Sequence, residues 1–395
     1  MNWFGFGFNA FGQIAAHDKL IKREGSAAEE VKVVIPTDIG RHVDECEGGT
    51  GCKVNIYRKN SRIKASWSRR ASLHSEGDGC LCVTSAGFGA GVSGVSVLEE
   101  SRGCRDALIC ERHLTLAFPD RTELWSLEQN DKTLIWSMEI KPEAETTGPP
   151  LKLPLVPGGY VATKLPFYRS LSPQLRAVSL ALGAEHAVLL SATGAVYTWG
   201  LGSHGQLGHG GLTSEEEPRA VEALWGMPMS CVATGGWHSA CISAGGDLYM
   251  WGWNESGQLG LPSQTLRKEQ QRRNKQPAVN RDASSSACKE QQEGEKQEEV
   301  FISIQAFPAL LDIPESCEFS TVSCGSRHTA AVTTTGDLYT WGWGEYGQLG
   351  HRTLLSSDEP QCVDFFKEKG VCVVDVVCGA WNTFAAVAKE EVVQS

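Results

Sequence analysis

Short apolar runs on either side of a glycine-centred turn recur in the second half of the chain. In the clearest example, small and apolar residues alternate with polar ones from His328 to a turn at Gly336, and a second run follows to Trp343. Alternation with a period of two predicts a β-strand with one buried face, and two such runs around a tight turn predict a hairpin. The pattern therefore predicts short antiparallel strands.

This hairpin belongs to a unit of 29 residues that occurs three times without a gap, at residues 180–208, 232–260 and 322–350. Each copy has a glycine, a histidine three residues later, a tryptophan sixteen residues after the glycine, and a final Gly-Gln-Leu-Gly. The shared residues are Gly183, His186, Trp199, Gly235, His238, Trp251, Gly325, His328 and Trp341. Trp199 and Trp251 are 52 residues apart, which fits one four-stranded blade of a β-propeller.

The two ends of the chain carry complementary halves of one more unit. Residues 376–387 match the first half of the repeat, but no Trp-Gly half follows before Ser395. Residues 6–13 match residues 251–258 of the second half position by position. We therefore expect the two termini to share one sheet, which closes the ring and removes open sheet edges.

Weaker units lie between these ends. Residues 63–83 look like a degenerate first half, and residues 107–125 are a candidate for another. Six blades are thereby placed, and the 193 residues from Phe6 to Trp199 leave a seventh suspected. The prediction is a single all-β domain over residues 1–395, a seven-bladed β-propeller closed by a blade that the N- and C-termini share.

Three segments depart from the repeat. Residues 14–62 are predicted to be irregular or partly disordered, and residues 142–176 are a Pro-rich stretch that is expected to be extended. Residues 263–299 are rich in Gln, Lys, Glu and Ser, so they bury too little apolar surface to offset the entropy of ordering. We predict a disordered insertion there, and its basic first half leaves a nuclear-localisation signal as the alternative to a solvated loop.

The Pro-rich stretch also holds the predicted partner-binding residues. Its apolar and aromatic side chains suit a groove on a partner, and we predict that residues 153–169 form much of the partner-facing surface. The predicted contact residues are Leu155, Tyr160, Phe167, Tyr168 and Arg169. The alternative is that the stretch only crosses between blades and packs on their outer strands.

The composition narrows the classes of function. The 395 residues include 36 Lys and Arg against 47 Asp and Glu, and the net charge of −11 argues against DNA binding through a cationic surface. The sequence has neither an apolar stretch long enough to span a membrane nor a secretory signal, so an intracellular protein with reduced cysteines is expected. The 43 glycines and 12 tryptophans suit tight turns between packed strands.

No motif points to catalysis. The repeated histidines could be metal ligands, but the matching position in the last unit is Asn382, so hydrogen bonds to backbone near a turn are the favoured interpretation. Large aromatics are expected to fill the wedges between blades rather than to form a ligand cage, namely Trp199, Trp251, Trp253, Trp341 and Trp343. Phosphate-loop and nucleophile motifs are absent. We predict a protein that is not an enzyme and that binds no cofactor or metal.

With these motifs the chain resembles the regulator of chromosome condensation repeat family, whose members form seven-bladed propellers. The resemblance is specific over residues 180–388 and 4–13, and weak over 40–150. Residues 3–8, residues 165–169 and the single polar insertion resemble one small member of the family. That resemblance implies a scaffold of the nucleus and chromosomes, with the cytosol as a second location. It implies action with a Jumonji-type histone lysine demethylase on histone methylation at centromeric repeats, spindle organisation and chromosome segregation.

The same resemblance implies a monomer or a heterodimer that reaches histones indirectly, without sequence-specific binding of nucleic acid and without a membrane. The alternative function is guanine nucleotide exchange on a Ran-like small GTPase, as in the founding member, although its wedge and acidic loop residues cannot be located in these motifs. The ultraviolet-B photoreceptor branch is a weaker alternative, because its Gly-Trp-Arg-His-Thr motif is absent and the nearest matches are residues 236–239 and 325–329.

Overall fold

The computed structural model describes residues 1–14, 31–39, 61–75, 81–87, 95–128, 132–140, 151–275, 300–313 and 317–388. The described strands form seven antiparallel sheets, six with four strands and one with three. Each sheet is called a blade below.

The N-terminal half of the chain builds three blades and part of a fourth. Strands β1 (Asn2–Phe8) and β2 (Lys32–Asp38) belong to the terminal blade. Blade A consists of β3 (Arg62–Ala65), β4 (Arg69–Ser75), β5 (Leu81–Gly87) and β6 (Val95–Leu98). Blade B consists of β7 (Asp106–Ile109), β8 (His113–Ala117), β9 (Arg121–Ser126) and β10 (Thr133–Glu139). Blade C has the three strands β11 (Leu155–Val156), β12 (Gly159–Val161) and β13 (Tyr168–Ser170).

The sequence repeats build the next three blades. Blade D consists of β14 (Ala177–Leu182), β15 (His186–Ser191), β16 (Val196–Gly200) and β17 (Glu215–Ala220). Blade E consists of β18 (Met229–Thr234), β19 (His238–Ser243), β20 (Leu248–Trp253) and β21 (Ile304–Leu310), with helix α1 (Gln264–Lys275) between its last two strands. Blade F consists of β22 (Phe319–Cys324), β23 (His328–Thr333), β24 (Leu338–Gly342) and β25 (Ser357–Cys362). Helix α2 (Asp364–Glu368) leads to β26 (Val373–Cys378) and β27 (Asn382–Val387) of the terminal blade. Short 3-10 helices lie at Glu99–Ser101, Pro173–Leu175 and Glu222–Leu224.

At six of the seven junctions between described blades, the first strands of the two neighbouring blades contact each other. These contacts run from β26 to β3 and β7, and from β11 through β14, β18 and β22 back to β26. Blades B and C meet where Leu108 and Leu124 pack against Leu153 and Val156. The blades therefore follow one another around a ring, and the predicted all-β propeller architecture is confirmed.

The terminal blade ties the two ends of the chain together. Its strand order is β2-β1-β27-β26, and β1 pairs with β27 so that Phe4 lies opposite Ala385 and Phe6 opposite Thr383. Phe6 is fully buried and packs in one cluster with Val332 of blade F. The predicted blade shared between the termini is confirmed, and it pairs strands that would otherwise be sheet edges.

Buried tryptophans fill the junctions between neighbouring blades. Trp251 and Trp341 have no exposed surface, and Trp199 is 8% exposed. Trp251 of blade E packs against Val188 and Leu190 of blade D. Burying an aromatic side chain of this size contributes about 2–3 kcal/mol, so these rings supply much of the cohesion between blades.

Regular structure occurs within all three segments that depart from the repeat, although residues 142–176 were predicted only to be extended and the other two to be irregular or disordered. Strand β2 lies within residues 14–62, and β11–β13 lie within residues 142–176. Helix α1 begins the segment 263–299, where Leu266 is 4% exposed and Ser263 N donates to Asp358 Oδ2 at 2.7 Å. These elements gain stability from neighbouring blades, which local composition does not reveal. Residues 15–30, 40–60, 141–150 and 276–299 lie outside the described residues. No helix in the described ranges is both long and apolar enough to cross a membrane.

Candidate functional site

A chain of hydrogen bonds links each repeat-built blade to the next. Nε2 of His186 in blade D lies 2.8 Å from Oγ of Ser239 in blade E, and this hydroxyl donates at 2.8 Å to the backbone carbonyl of Gln206 in blade D. The equivalent sets, with distances of 2.8 to 3.0 Å, are His238, Thr329 and Gln258 between blades E and F, and His328, Thr383 and Gln348 between blade F and the terminal blade. We call each set a clasp.

The hydroxyl of a clasp determines that Nε2 of its histidine carries a proton. A carbonyl oxygen can only accept, so the single hydroxyl proton of Ser239 points to Gln206 and the hydroxyl oxygen accepts from Nε2–H of His186. Nδ1 of each clasp histidine has no partner among the described residues. Burial disfavours the charged ring and lowers the histidine pKa to about 4 at His186 and to about 3 at His238 and His328. The clasp histidines are therefore neutral donors.

These contacts refine the interpretation of the repeated histidines. The expected partner was backbone near a turn, whereas the observed partner is a side-chain hydroxyl of the next blade. Each histidine lies at a different junction, and within the described ranges no three His, Cys, Asp or Glu side chains come together as metal ligands would.

The Gly-Gln-Leu-Gly motif supplies the other half of the clasp. The carbonyl of Gln206 also accepts from Nε1 of Trp251 at 2.9 Å, and Gln258 accepts from Trp341 at 3.0 Å. The glutamine side chain closes its own turn, since Oε1 of Gln206 accepts from His204 N at 2.8 Å. The fixed spacing of histidine, tryptophan and glutamine in the sequence is therefore the spacing of one interblade contact.

The repeat glycine leaves room for the histidine ring. A Cβ added to Gly325 would lie 2.1 Å from Cε1 of His328 and 2.8 Å from the carbonyl oxygen of Gly379. Gly183 and Gly235 face their own clasp histidines in the same way. A side chain at this position would displace either the ring or the backbone of the next blade.

Other junctions use different groups. Arg69 takes the histidine position in blade A, because its carbonyl accepts from Ser66 N as that of His186 accepts from Gly183 N. Its guanidinium donates to the carbonyls of Glu111 at 3.1 Å and Leu127 at 3.2 Å, both in blade B. At the junction of blades C and D, the Trp199 indole donates to the hydroxyl of Tyr160 at 3.3 Å.

The predicted partner-binding residues divide into a buried and an exposed set. Leu155 and Tyr160 are 3% and 6% exposed and pack in the junction with blade D, so they are not available to a partner in this structure. Phe167 and Tyr168 are half-buried, and Arg169 is exposed. The stretch is neither free nor a simple crossing between blades, because β11–β13 make it a small blade of its own.

Aromatic side chains gather at one end of the blades. The loop between the first two strands and the loop that leaves the third strand lie at the same end, since neighbouring strands are antiparallel. In blade E these loops hold Trp237 and Trp253, whose ring centroids are 5.6 Å apart. The His204 ring of blade D lies 5.7 and 5.6 Å from them. All three side chains are partly exposed.

The same loops of blade F and the terminal blade continue the row. The Trp343 ring lies 5.0 Å from Tyr346 and 4.8 Å from Trp381. Phe8 of the terminal blade lies 4.9 Å from Tyr346. Between this group and blade E, the guanidinium of Arg327 lies 4.7 Å from the centroid of Trp253.

The row ends on blade A. Phe11 lies 5.8 Å from Phe8 and 5.7 Å from Trp67, whose side chain is 46% exposed. We call the nine rings in these three groups the aromatic belt. It passes from blade D through blades E, F and the terminal blade to blade A, so it spans five consecutive blades.

The belt was not predicted, because Trp253 and Trp343 were expected in the wedges. Residues two apart in a regular strand point to the same side, which would bury Trp253 with Trp251. Gly252 between them has φ +107°, and a Cβ there would lie 2.5 Å from the carbonyl oxygen of Trp237. The glycine therefore turns the chain and brings the second tryptophan to the surface. The sequence feature that could have indicated the belt is a tryptophan directly before the clasp histidine or its equivalent. Trp237 precedes His238, and Trp381 precedes Asn382.

The seven sheets, the clasps and the exposed belt define a β-propeller built from sequence repeats. Two models of the regulator of chromosome condensation (RCC1) repeat match the chain, one at residues 193–242, 245–288 and 335–386 and the other at 177–206, 230–258 and 319–348. The chain is 40% identical to human RCC1 domain-containing protein 1, over 97% of this chain and 96% of that protein. It is 39% identical to the mouse protein of the same name, over 97% and 96%. The chain belongs to the RCC1 repeat family.

A solved structure shares the fold. Prp20p from Saccharomyces cerevisiae, described together with its binding properties to Gsp1p and histones, matches with a TM-score of 0.67 over 99% of this chain and 92% of that chain. The two sequences are 14% identical, so this likeness concerns the fold alone.

Proposed function

We propose that this chain is a non-enzymatic, chromatin-associated interaction scaffold. It partners a Jumonji-type histone lysine demethylase and thereby influences histone methylation at centromeric repeats, spindle organisation and chromosome segregation. The observation that carries the proposal is the 40% identity to human RCC1 domain-containing protein 1 over 97% of this chain. The repeat models match only within residues 177–386, so a similarity of this extent includes the irregular blades A, B and C.

The charge of the chain supports recruitment through a protein. A net charge of −11 opposes attachment to DNA phosphates, which depends on Lys and Arg and on the release of counterions. A scaffold of this charge reaches chromatin through a partner, and histones are reached indirectly. The expected location is the nucleus and the chromosomes, with the cytosol second.

The exposed tip of blade C is the candidate contact with the demethylase. Because Leu155 and Tyr160 are buried, the contact is limited to residues 163–169. Leu165, in the loop between β12 and β13, is 76% exposed, and Arg169 on β13 is exposed. An exposed apolar side chain and an arginine on the same small blade are suited to a protein interface, in which arginine is enriched.

The test is a direct pull-down of the purified full chain with a purified Jumonji-type demethylase. The unmodified chain is expected to retain the demethylase, and the double variant Leu165→Ala, Arg169→Ala to retain at least tenfold less. Leu212→Ala, which removes a side chain that is 53% exposed on blade D, is the matched control and should bind normally. If the unmodified chain retains no demethylase, the proposed function is wrong. If the unmodified chain and the double variant retain equal amounts of demethylase, the tip of blade C is not the contact.

Guanine nucleotide exchange on a Ran-like small GTPase is the competing function. It is favoured by the fold shared with Prp20p, whose description includes binding to Gsp1p. Release of a fluorescent guanine nucleotide from purified Ran distinguishes the two. We expect the full chain to leave the release rate unchanged, and a stimulated rate at catalytic amounts of the chain would establish exchange activity instead.

A further inference from the structure

We propose that the aromatic belt binds a basic segment of a partner protein, and that one arginine or lysine side chain of this segment enters the cavity at the Trp67 end of the belt. This surface lies on different blades from the tip of blade C. The proposal is therefore independent of the demethylase, and its test uses defined peptides.

The belt is a row of at least partly exposed rings, in which Arg327 of blade F lies on Trp253 between the group of blade E and the next group. The rings in contact are edge to face or tilted, with centroids 4.8 to 5.8 Å apart, and each ring keeps part of its surface exposed. Contiguous exposed apolar surface of this kind is typical of interaction sites, and tryptophan and tyrosine are enriched there.

The chain already places cations on these rings. The Arg327 guanidinium lies 4.7 Å from the Trp253 centroid, and Nζ of Lys32 lies 5.6 Å from the Tyr346 centroid. Both distances are within the range of an attractive cation–π contact, about 6 Å. The rings between and beyond these two contacts offer the same kind of surface to the cations of a partner.

Three exposed carboxylates lie along the belt on blades D, E and F. Glu185 is exposed and accepts from Nε1 of Trp237 at 3.3 Å. Glu255 and Glu345 are exposed on the loops that carry Trp253 and Tyr346. Arg327 and Lys32 are only partly exposed and lie over rings, so an approaching segment meets negative charge first. This pattern favours a segment rich in arginine and lysine.

A cavity of about 380 Å³ opens at the Trp67 end of the belt. Phe11, Trp67 and Leu127 supply its apolar walls, and Glu111 and Glu128 supply two carboxylates. Apolar walls with a carboxylate are the features that hold the stem and the charged head of a long basic side chain.

The charged side chains that line the cavity already have partners within the chain. Arg69 also lines it, but its guanidinium donates to backbone carbonyls of blade B, and the charge of Glu111 lies beside it. Glu111 in turn accepts from the backbone and the hydroxyl of Ser68. Glu128 pairs with Arg112 at 3.5 Å between two largely exposed side chains, a contact weak enough to be exchanged for a partner's cation.

Single-stranded RNA is the competing occupant, because bases also stack on rows of aromatic rings. Such binding requires basic side chains along the backbone path, whereas Glu185, Glu255 and Glu345 are exposed beside the belt and the exposed Arg112 is paired with Glu128. We therefore favour a basic peptide and treat RNA as an outcome of the test.

The test measures fluorescence anisotropy of a labelled peptide of alternating arginine and glycine, titrated with the purified full chain. A peptide with citrulline in place of arginine keeps the shape and removes the charge. We expect the arginine peptide to bind, and the citrulline peptide and the variant Trp67→Ala each to weaken binding about tenfold or more. Trp225→Ala removes a tryptophan that is 67% exposed outside the belt, and it should leave binding within twofold.

A second variant, Glu255→Gln with Glu345→Gln, changes only exposed side chains and keeps the test informative if Trp67→Ala unfolds. It should weaken the arginine peptide severalfold, and urea unfolding should match that of the unmodified chain. The proposal is overturned if no arginine peptide binds at micromolar concentrations, or if citrulline binds as well. It is also overturned if Trp67→Ala and Trp225→Ala behave alike, or if labelled oligouridine RNA binds the belt while the arginine peptide does not.

Discussion

Blades D, E and F and blades A, B and C build the same ring with different contacts between neighbours. In the first group each junction has a neutral histidine, a hydroxyl and a glutamine carbonyl, with distances of 2.8 to 3.0 Å. In the second group Arg69 reaches two carbonyls of blade B, and Tyr160 receives the Trp199 indole. A junction can thus be satisfied in more than one way.

This difference explains why the sequence repeat is recognisable in only part of the chain. A blade needs apolar faces and paired strands, and many residue types provide them. A clasp needs particular residues at particular positions, because a buried donor without its acceptor costs about 1–3 kcal/mol. The repeat is therefore visible where clasps exist and fades where other groups replace them.

The largest expected effect that separates the two groups is acid sensitivity. In the unfolded chain a histidine binds a proton below its ordinary pKa of 6.5, whereas the clasp histidines stay neutral down to about pH 4 or 3. Their contribution to stability is therefore full above pH 6.5 and is lost as the pH falls towards 4. At pH 5 the loss is about 2 kcal/mol for each clasp histidine and about 6 kcal/mol for the three. Urea unfolding at a series of pH values measures it.

The control for acid sensitivity is His328→Asn, which places at a clasp the residue that the terminal blade uses at Asn382. This variant has two clasp histidines left, so its stability should fall by about 2 kcal/mol less than that of the unmodified chain between pH 7 and pH 5. The same pH dependence in the variant and the unmodified chain would mean that the clasp histidines do not cause it.

Removing one clasp histidine should have the next largest effect. His238 has no exposed surface, and its loss leaves a cavity and removes the N–H group from which the Thr329 hydroxyl accepts. We expect His238→Ala to lower the free energy of unfolding by about 3 kcal/mol in urea unfolding at pH 7.5. His204→Ala removes a partly exposed ring and should cost less than about 1 kcal/mol. Equal losses in the two variants would contradict a special role of the clasp.

A smaller effect is expected at the irregular junction of blades A and B. A lysine in place of Arg69 has one nitrogen and cannot reach both carbonyls in the fork geometry of a guanidinium. We expect Arg69→Lys to lower the free energy of unfolding by about 1–2 kcal/mol, without changing its dependence on pH between 7 and 5. An altered pH dependence would show that this junction is coupled to the clasps.

The smallest effect is expected where blade C meets blade D. Tyr160→Phe keeps the buried ring and removes only the hydroxyl that accepts from Trp199 at 3.3 Å. We expect a loss of about 0.5–1 kcal/mol in thermal or urea unfolding. A loss above about 2 kcal/mol would mean that this single hydrogen bond stabilises the fold about as much as a clasp does.

The same contrast decides how much could be predicted from the sequence. The clasp residues of blades D, E and F and the halves at the two termini are fixed in position, so the all-β ring and its closure were predictable. Blade C was not, because its three short strands contain none of the clasp residues and prolines lie directly beside β11, at Pro154 and Pro157. Helix α1 depends on the burial of Leu266 against neighbouring loops, which the polar composition around it conceals.

The candidate surface was harder to predict than the fold. Trp251 and Trp253 look alike in the sequence, but the positive φ of Gly252 buries one and exposes the other. In the sequence, Leu155 and Tyr160 look like partner-binding side chains on an extended segment. The small blade that they form buries them instead. In both cases the deciding fact is the path of the backbone, which the residue types alone do not specify.

The protonation state of the clasp histidines tests the central claim most directly. Nitrogen-15 chemical shifts of the histidine rings, recorded from pH 8 to pH 5 in the full chain, report the charge and the tautomer of each ring. We predict that His186, His238 and His328 remain neutral throughout, with the proton on Nε2. Charging of these three rings near pH 6.5 in the folded chain, or a proton on Nδ1 instead, would contradict the account.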